Sequence, residues 1–195
     1  MTAFIEYCKT GNIEMIKKNV ITKISLDYGD LDEGFRWACY NRHYDIVQYL
    51  VGLYKIDTTY KPIDIHADNE LGFRWACTNG HYDIVQYLVE LHKRDTTYKP
   101  INIHAYNEDG FTTACYWGYY DIVQYLVNLY KINDNINIYD HINIHYNNEI
   151  GFKLACYYGH YNLVKYLIKL YRKHSVYKPI KNYLIIFKKF DKYLL

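Results

Sequence analysis

Five cysteines recur along the chain, and their spacing decides what chemistry they could carry. They are Cys8, Cys39, Cys77, Cys115 and Cys156. A zinc site or a redox pair needs several thiolates held together, commonly in a C-x-x-C pair. The sequence contains no such pair, and cysteines placed singly at wide intervals do not assemble a tetrahedral site. We therefore predict buried core residues, no metal site, and thiols that stay reduced inside a cell.

Three histidines each follow an isoleucine, at His66, His104 and His145. An imidazole could bind a metal ion or sense pH. Because each histidine stands alone in a polar connecting segment, we interpret the series as loop residues that bond to neighbouring backbone. Metal binding and pH sensing are the alternatives.

A second histidine series, His43, His81 and His160, occupies one position of a recurring segment, and Tyr119 replaces it in another copy. That replacement argues against a catalytic duty. The sequence also lacks the G-x-S-x-G, P-loop, H-E-x-x-H and protein-kinase motifs. We therefore predict no enzyme activity, no catalytic residue, no cofactor and no small-molecule substrate.

The recurring segment is the main signal. The stretch from Gly34 to Val51 returns nearly unchanged from Gly72, and again from Gly110 and Gly151, at intervals of 38, 38 and 41 residues. A divergent copy begins at Phe4. We predict one domain over 1–195, with repeats of about 4–33, 34–71, 72–109, 110–150 and 151–176, and a C-terminal cap over 177–195.

Each repeat is predicted to form two helices joined by a short turn. In the second helix Ile84, Val85, Leu88 and Val89 make one wide apolar stripe at helical spacing. Gly80, just upstream, suits a turn with an unusual backbone angle. Between repeats, a proline such as Pro62 ends any helix, and alternating apolar residues after it indicate a short extended finger.

These residues resemble the ankyrin repeat. Ala76-Cys77-Thr78-Asn79-Gly80-His81, followed by Ile84-Val85 and Leu88, is similar to the ankyrin stretch A-A-x-x-G-H-x-x-I-V-x-x-L. The resemblance covers roughly Phe4 to Leu170 and implies an all-α helical solenoid of about five helix-pair repeats with short finger loops. It also implies that the cysteines stand where ankyrin repeats carry alanine.

The repeat opening Gly-Phe-Arg-Trp-Ala-Cys is similar to repeats encoded in large numbers by giant DNA viruses. This resemblance implies a viral protein that acts on host proteins in the host cytoplasm or nucleus. The 26 tyrosines fit an AT-rich genome as well as any structural demand, so we draw no function from their number.

Ankyrin partners usually lie against the concave face made by the first helices and the fingers, which implies a partner surface here. Variation between the repeats is concentrated in the first helices, and aromatic and arginine side chains often dominate binding energy. The predicted partner-binding residues are Arg36, Trp37, Tyr40, Arg74, Trp75, Tyr116, Trp117, Tyr157 and Tyr158. Tyr116 and Trp117 are the expected anchors. Alternatively, Trp37 and Trp75 pack between repeats.

Charge is divided unevenly along the chain. The formal net charge is +2, but the residues from Lys169 onward carry eight basic side chains and one acid. The rest carries 15 basic and 20 acidic side chains, a balance of −5. The alternative to a C-terminal cap is a partner-docking or membrane-surface helix. The alternatives to a protein-binding scaffold are an adaptor that recruits host ubiquitin-ligase machinery, or nucleic-acid or membrane contact through the basic C-terminal tail. We expect a monomer, no secretory signal and no membrane-spanning helix.

Overall fold

The computed structural model describes residues 2–21, 28–129 and 142–173. These parts of the chain form ten helices and no strand, which confirms the all-α prediction. The helices are α1 Ala3–Thr10, α2 Ile13–Ile21, α3 Tyr28–Tyr40, α4 Tyr44–Ile56, α5 Ala67–Thr78, α6 Tyr82–Arg94, α7 Ala105–Trp117, α8 Tyr120–Asn128, α9 Tyr146–Tyr157 and α10 Tyr161–Lys173. The predicted cap over 177–195 lies outside the described residues.

The ten helices form five consecutive pairs, one pair to each predicted repeat. Each first helix packs closely on the first helix of the next repeat, whereas the second helices approach one another much less. An array of this kind curves toward its closely packed layer. The first helices α1, α3, α5, α7 and α9 therefore line the inner side.

One phenylalanine from each first helix is fully buried between neighbouring repeats: Phe4, Phe35, Phe73, Phe111 and Phe152. The predicted stripe of the second helix is buried as well, since Ile84 and Val85 have no exposed surface. The glycine before each of the later phenylalanines permits this packing. A Cβ placed on Gly72 would lie 2.7 Å from Cε1 of Phe35.

The turn between paired helices uses the left-handed backbone that the sequence indicated. Gly80 has φ +76°, and Gly11, Gly118 and Gly159 have φ between +74° and +78°. Arg42 stands at the same point of its repeat and also has a positive φ, 64°. A non-glycine residue is strained in this region because its Cβ crowds the following carbonyl.

The first helix of a repeat begins before the glycine at which we divided the repeats. Helix α5 starts at Ala67, and Gly72 lies within it. The three residues Asp68, Asn69 and Glu70 all have positive φ, between 54° and 62°, so the right-handed helix continues only after them. The same left-handed segment opens α7. The placing of the repeat boundaries stays a prediction.

Tyrosines connect the second helices. Tyr44 packs edge-on against Tyr87 of the next repeat, with ring centroids 5.6 Å apart. The pairs Tyr82–Tyr125 and Tyr120–Tyr166 repeat the contact at 5.6 and 5.4 Å. Edge-to-face aromatic pairs add to the energy of area burial. Tyrosine is therefore a structural residue of the outer layer.

Candidate functional site

The inner surface carries two groups of aromatic side chains. The N-terminal aromatic cluster consists of Trp37, Tyr40 and Trp75. The Trp37 and Trp75 ring centroids lie 5.2 Å apart, and the Tyr40 ring meets Trp75 edge-on at 5.3 Å. The Lys9 ammonium lies 4.0 Å above the Trp37 ring. The two tryptophans thus contact across the boundary between α3 and α5, while Tyr40 remains exposed.

Two of the predicted binding residues have ionic partners within the array. Nη1 of Arg36 in α3 lies 2.9 Å from Oδ2 of Asp68 in α5. Nε of Arg74 donates to Oδ2 of Asp109 at 2.8 Å. The two arginine side chains are only 18% and 13% exposed, so most of their surface contacts the protein itself.

The C-terminal aromatic cluster consists of Tyr116, Trp117, Tyr157 and Tyr158, at the ends of α7 and α9. Tyr116 contacts Trp117 and Tyr158, with ring centroids 4.8 and 4.4 Å apart. Tyr157 and Tyr158 meet at 4.9 Å. A hydrogen bond with Tyr116 raises the pKa of the Tyr158 hydroxyl. Sequence reasoning selected all four residues, and the structure brings them together.

Exposure separates the two clusters. In the C-terminal cluster, Trp117 is 53% exposed, Tyr157 81% and Tyr158 46%. In the N-terminal cluster both tryptophans are half-buried. Threonines lie between the two groups, and the Thr78 hydroxyl donates to that of Thr113 at 3.2 Å. Seven of the nine predicted residues thus form two aromatic groups, and the two arginines form ion pairs with aspartates. The most exposed aromatic side chains lie at α7 and α9.

The finger histidines bond to carboxylates, which corrects the prediction that their side chains bond to backbone. Nδ1 of His66 donates to the Glu70 carboxylate at 2.9 Å, and His104 bonds to Glu108 in the same way at 2.7 Å. Glu70 and Glu108 are buried, and each also accepts a backbone N–H from the following finger. Sequence reasoning missed these glutamates, although a carboxylate recurs at this position in each later repeat. The described residues contain no cluster that could hold a metal ion.

The turn histidines His43, His81 and His160 connect neighbouring repeats. Nε2–H of His43 donates to the Lys9 carbonyl oxygen at 2.9 Å. His81 reaches the carbonyl of Tyr40, and His160 that of Tyr116, both at 2.8 Å. Each bond satisfies a carbonyl at the C-terminal end of a first helix, where no intrahelical donor is available.

The cysteines are core residues, as predicted. All five are free and buried. Burial raises the pKa of Cys8 and Cys156 to about 12 and also raises that of Cys39, Cys77 and Cys115. A protonated thiol is a poor nucleophile and a poor metal ligand. The first four cysteines each pack against the glycine of the following first helix.

The architecture and the inner surface define a helical repeat protein with exposed aromatic side chains on its first helices. A family model described as ankyrin repeats (3 copies) matches residues 35–140, which is more than half of the chain. The chain therefore belongs to the ankyrin-repeat family, whose members are typically protein-interaction scaffolds without catalytic activity. A comparison with curated proteins finds no match. In the residues described, no helix has the length and apolar character needed to cross a membrane.

Proposed function

We propose that this protein is a non-catalytic scaffold that binds a partner protein along the inner surface of its repeat array. The observation that carries the proposal is the C-terminal aromatic cluster. Trp117, Tyr157 and Tyr158 are large aromatic residues that leave much of their surface in water, at positions that vary among otherwise similar repeats. An exposed aromatic group of this kind marks an interaction site more often than it serves stability.

The predicted residues are expected to contribute unequally to partner binding. Arg36 and Arg74 form ion pairs with aspartates of the following first helix. We propose that they stabilise the packing of the first helices more than they contact the partner. Trp37 and Trp75 pack between repeats and offer the partner a ring edge together with Tyr40. Most of the binding energy is assigned to the C-terminal cluster.

The decisive experiment removes part of that cluster. A partner is captured from the native cell with the wild-type chain, and its Kd is then measured for Tyr116→Ala combined with Trp117→Ala. We expect a loss of about 2 kcal/mol or more, which corresponds to roughly 30-fold weaker binding. Helix content by circular dichroism should not change, because neither residue lies in the phenylalanine core.

The matched control replaces two exposed tyrosines of the second helices, Tyr82→Ala with Tyr161→Ala. Tyr82 and Tyr161 are 36% and 44% exposed but lie on the outer layer. Their loss should leave the Kd unchanged. If the control weakens binding as much as the cluster variant does, or if neither has an effect, the inner surface is not the binding site.

We further propose that the protein is viral, binds a host protein, works inside the cell and is a monomer. The virus-like Gly-Phe-Arg-Trp-Ala-Cys opening supports the first two points, and five free thiols support a reducing compartment. Light scattering coupled to size-exclusion chromatography tests the monomer. Capture from infected and uninfected cells tests whether the bound protein comes from the host.

A further inference from the structure

The rings of the C-terminal aromatic cluster are largely exposed. In the parts of the chain that the structure describes, no lysine or arginine lies over Tyr116, Trp117, Tyr157 or Tyr158. The rings contact one another at centroid distances of 4.4–4.9 Å, so they form an open platform rather than a cage around a cavity.

Elsewhere on the inner layer, the chain places its own cations on such rings. Lys9 is in the last turn of α1, at the repeat position that Tyr116 and Tyr157 occupy later, and its ammonium lies 4.0 Å above Trp37. The Arg74 guanidinium lies 4.3 Å above the ring of Tyr106. Cation–ring contact is therefore a packing mode that this layer already uses.

The electrostatics at the C-terminal cluster also favour a positive ligand. The last turns of α3, α5, α7 and α9 contain no basic residue. The C-terminal end of a helix carries partial negative charge, and no basic side chain of these last turns is there to offset it. Lys153 is the one basic residue within α7 and α9, and the three acids of these helices lie toward their opposite ends, bonded to His104, Arg74 and His145. Residues 1–168 as a whole carry a balance of −5.

We propose that the partner segment that binds the C-terminal aromatic cluster is basic and places an arginine on it. This inference rests on the proposed function and names the chemistry of the partner. Arginine fits better than lysine because a flat guanidinium stacks on an open ring platform and is less strongly hydrated than an ammonium. A guanidinium stacked on a ring keeps its N–H donors at its edge, where they can still form charge-assisted hydrogen bonds.

The test uses the full chain and synthetic peptides of alternating arginine and glycine, labelled for fluorescence anisotropy. Three further peptides replace arginine with lysine, with citrulline, or with glutamate. Citrulline keeps the shape and most donors of arginine but lacks the charge. We expect binding in the order arginine, lysine, citrulline, with no binding of the glutamate peptide and at least about a tenfold step from arginine to citrulline.

The site is tested with Trp117→Leu combined with Tyr157→Leu, which removes two exposed rings and keeps apolar volume. We expect about a tenfold loss for the arginine peptide and little change for the citrulline peptide. The matched control is Tyr82→Leu, an exposed tyrosine of the outer layer that should leave both affinities unchanged. Citrulline binding equal to arginine, or equal loss in the control, would overturn the inference.

A second variant distinguishes a partner from the chain's own basic C-terminal segment. The lysines after residue 173 are replaced with glutamine, and the arginine peptide is titrated again. Unchanged affinity supports an outside partner, whereas about tenfold tighter binding would show that this segment occupies the cluster and would overturn the assignment. If no arginine peptide binds while the captured partner still depends on Tyr116 and Trp117, the inference fails and the proposed function stands.

Discussion

An oxygen of the Glu70 side chain accepts the backbone N–H of Asn102, 32 residues further along the chain, at 3.1 Å. The same carboxylate accepts the Nδ1–H of His66 at 2.9 Å. One buried carboxylate thus joins the loop before its own helix to the loop of the next repeat. Glu108 and Asn143 repeat the bond at 3.0 Å, and Asp32 and Asp64 form its shorter version at 2.9 Å.

Replacing Glu70 should therefore loosen two adjacent fingers. Glu70→Ala removes two charge-assisted hydrogen bonds, and we expect the free energy of unfolding to fall by about 2 kcal/mol. Glu70→Gln keeps an acceptor for Asn102 and should cost about half as much. Urea unfolding followed by circular dichroism measures both. Glu14→Ala, a change at an exposed glutamate, is the control and should have little effect.

The hydrogen bond between Asn102 and Glu70 could not be predicted from the sequence. The helix pairs, the buried cysteines and the left-handed Gly80 follow from local patterns and are correct. The bond from Glu70 to Asn102 joins two repeats, and no local pattern pairs those residues. An acid recurs at positions 32, 70, 108 and 149, but three of these four residues have a left-handed backbone that the sequence pattern does not predict.

The aromatic residues illustrate the same limit. Position in the repeat was enough to place Tyr116, Trp117, Tyr157 and Tyr158 on one surface. It could not reveal that Arg36 and Arg74 form ion pairs with aspartates of the following first helix, because those contacts depend on how the helices pack. Nor did it reveal that tyrosines such as Tyr44 and Tyr87 pair between second helices, since they are distant in sequence.

Replacement of two glycines with alanine is predicted to change the stability of the protein in opposite directions. In Gly72→Ala the new methyl group would meet the fixed ring of Phe35 at 2.7 Å, and we expect a loss of about 1–3 kcal/mol. Gly52 lies inside α4 with nothing within 4 Å of an added Cβ. Gly52→Ala should raise the free energy of unfolding by about 0.5–1 kcal/mol. Chemical unfolding measures whether each variant gains or loses free energy of unfolding. A more stable Gly72→Ala would contradict the close contact with Phe35.

The backbone of the turn between α3 and α4 is strained at Arg42, and a substitution there should relieve the strain. Arg42 has φ 64° where the other turns use glycine, and its ion pair with Asp83 at 3.5 Å is largely exposed and contributes little. Arg42→Gly should therefore stabilise the protein by about 1 kcal/mol. At the equivalent position of the next turn, Gly80→Ala should destabilise the protein. Gly80 has φ +76°, and an added Cβ would lie 2.6 Å from the Tyr119 ring. Thermal unfolding measures both. A drop in Tm for Arg42→Gly would show that the ion pair outweighs the strain.

Acid should weaken the contact between the second and third repeats through Asp95. Burial raises the pKa of this carboxyl, but hydrogen bonds from Lys55, Tyr54 and Thr97 outweigh it and hold the pKa well below its usual range. A carboxyl whose pKa is lower in the folded state stabilises the fold at any pH above its unfolded pKa, about 3.9. That stabilisation is lost as the pH falls from there toward the folded pKa.

We therefore expect the free energy of unfolding of the wild type to fall more steeply below about pH 4 than that of Asp95→Asn. Asparagine cannot titrate, so the variant should be less stable at neutral pH and should lose part of the acid dependence. Asp45→Asn, at an exposed position of α4, serves as the control and should follow the wild-type curve. Parallel curves for Asp95→Asn and the wild type would mean that the network of Lys55, Tyr54 and Thr97 does not favour the ionised carboxylate. In that case the link from α4 to the following finger would depend on the buried hydrogen bond from Tyr98 to the Val51 carbonyl, 2.8 Å long, and on apolar packing around it.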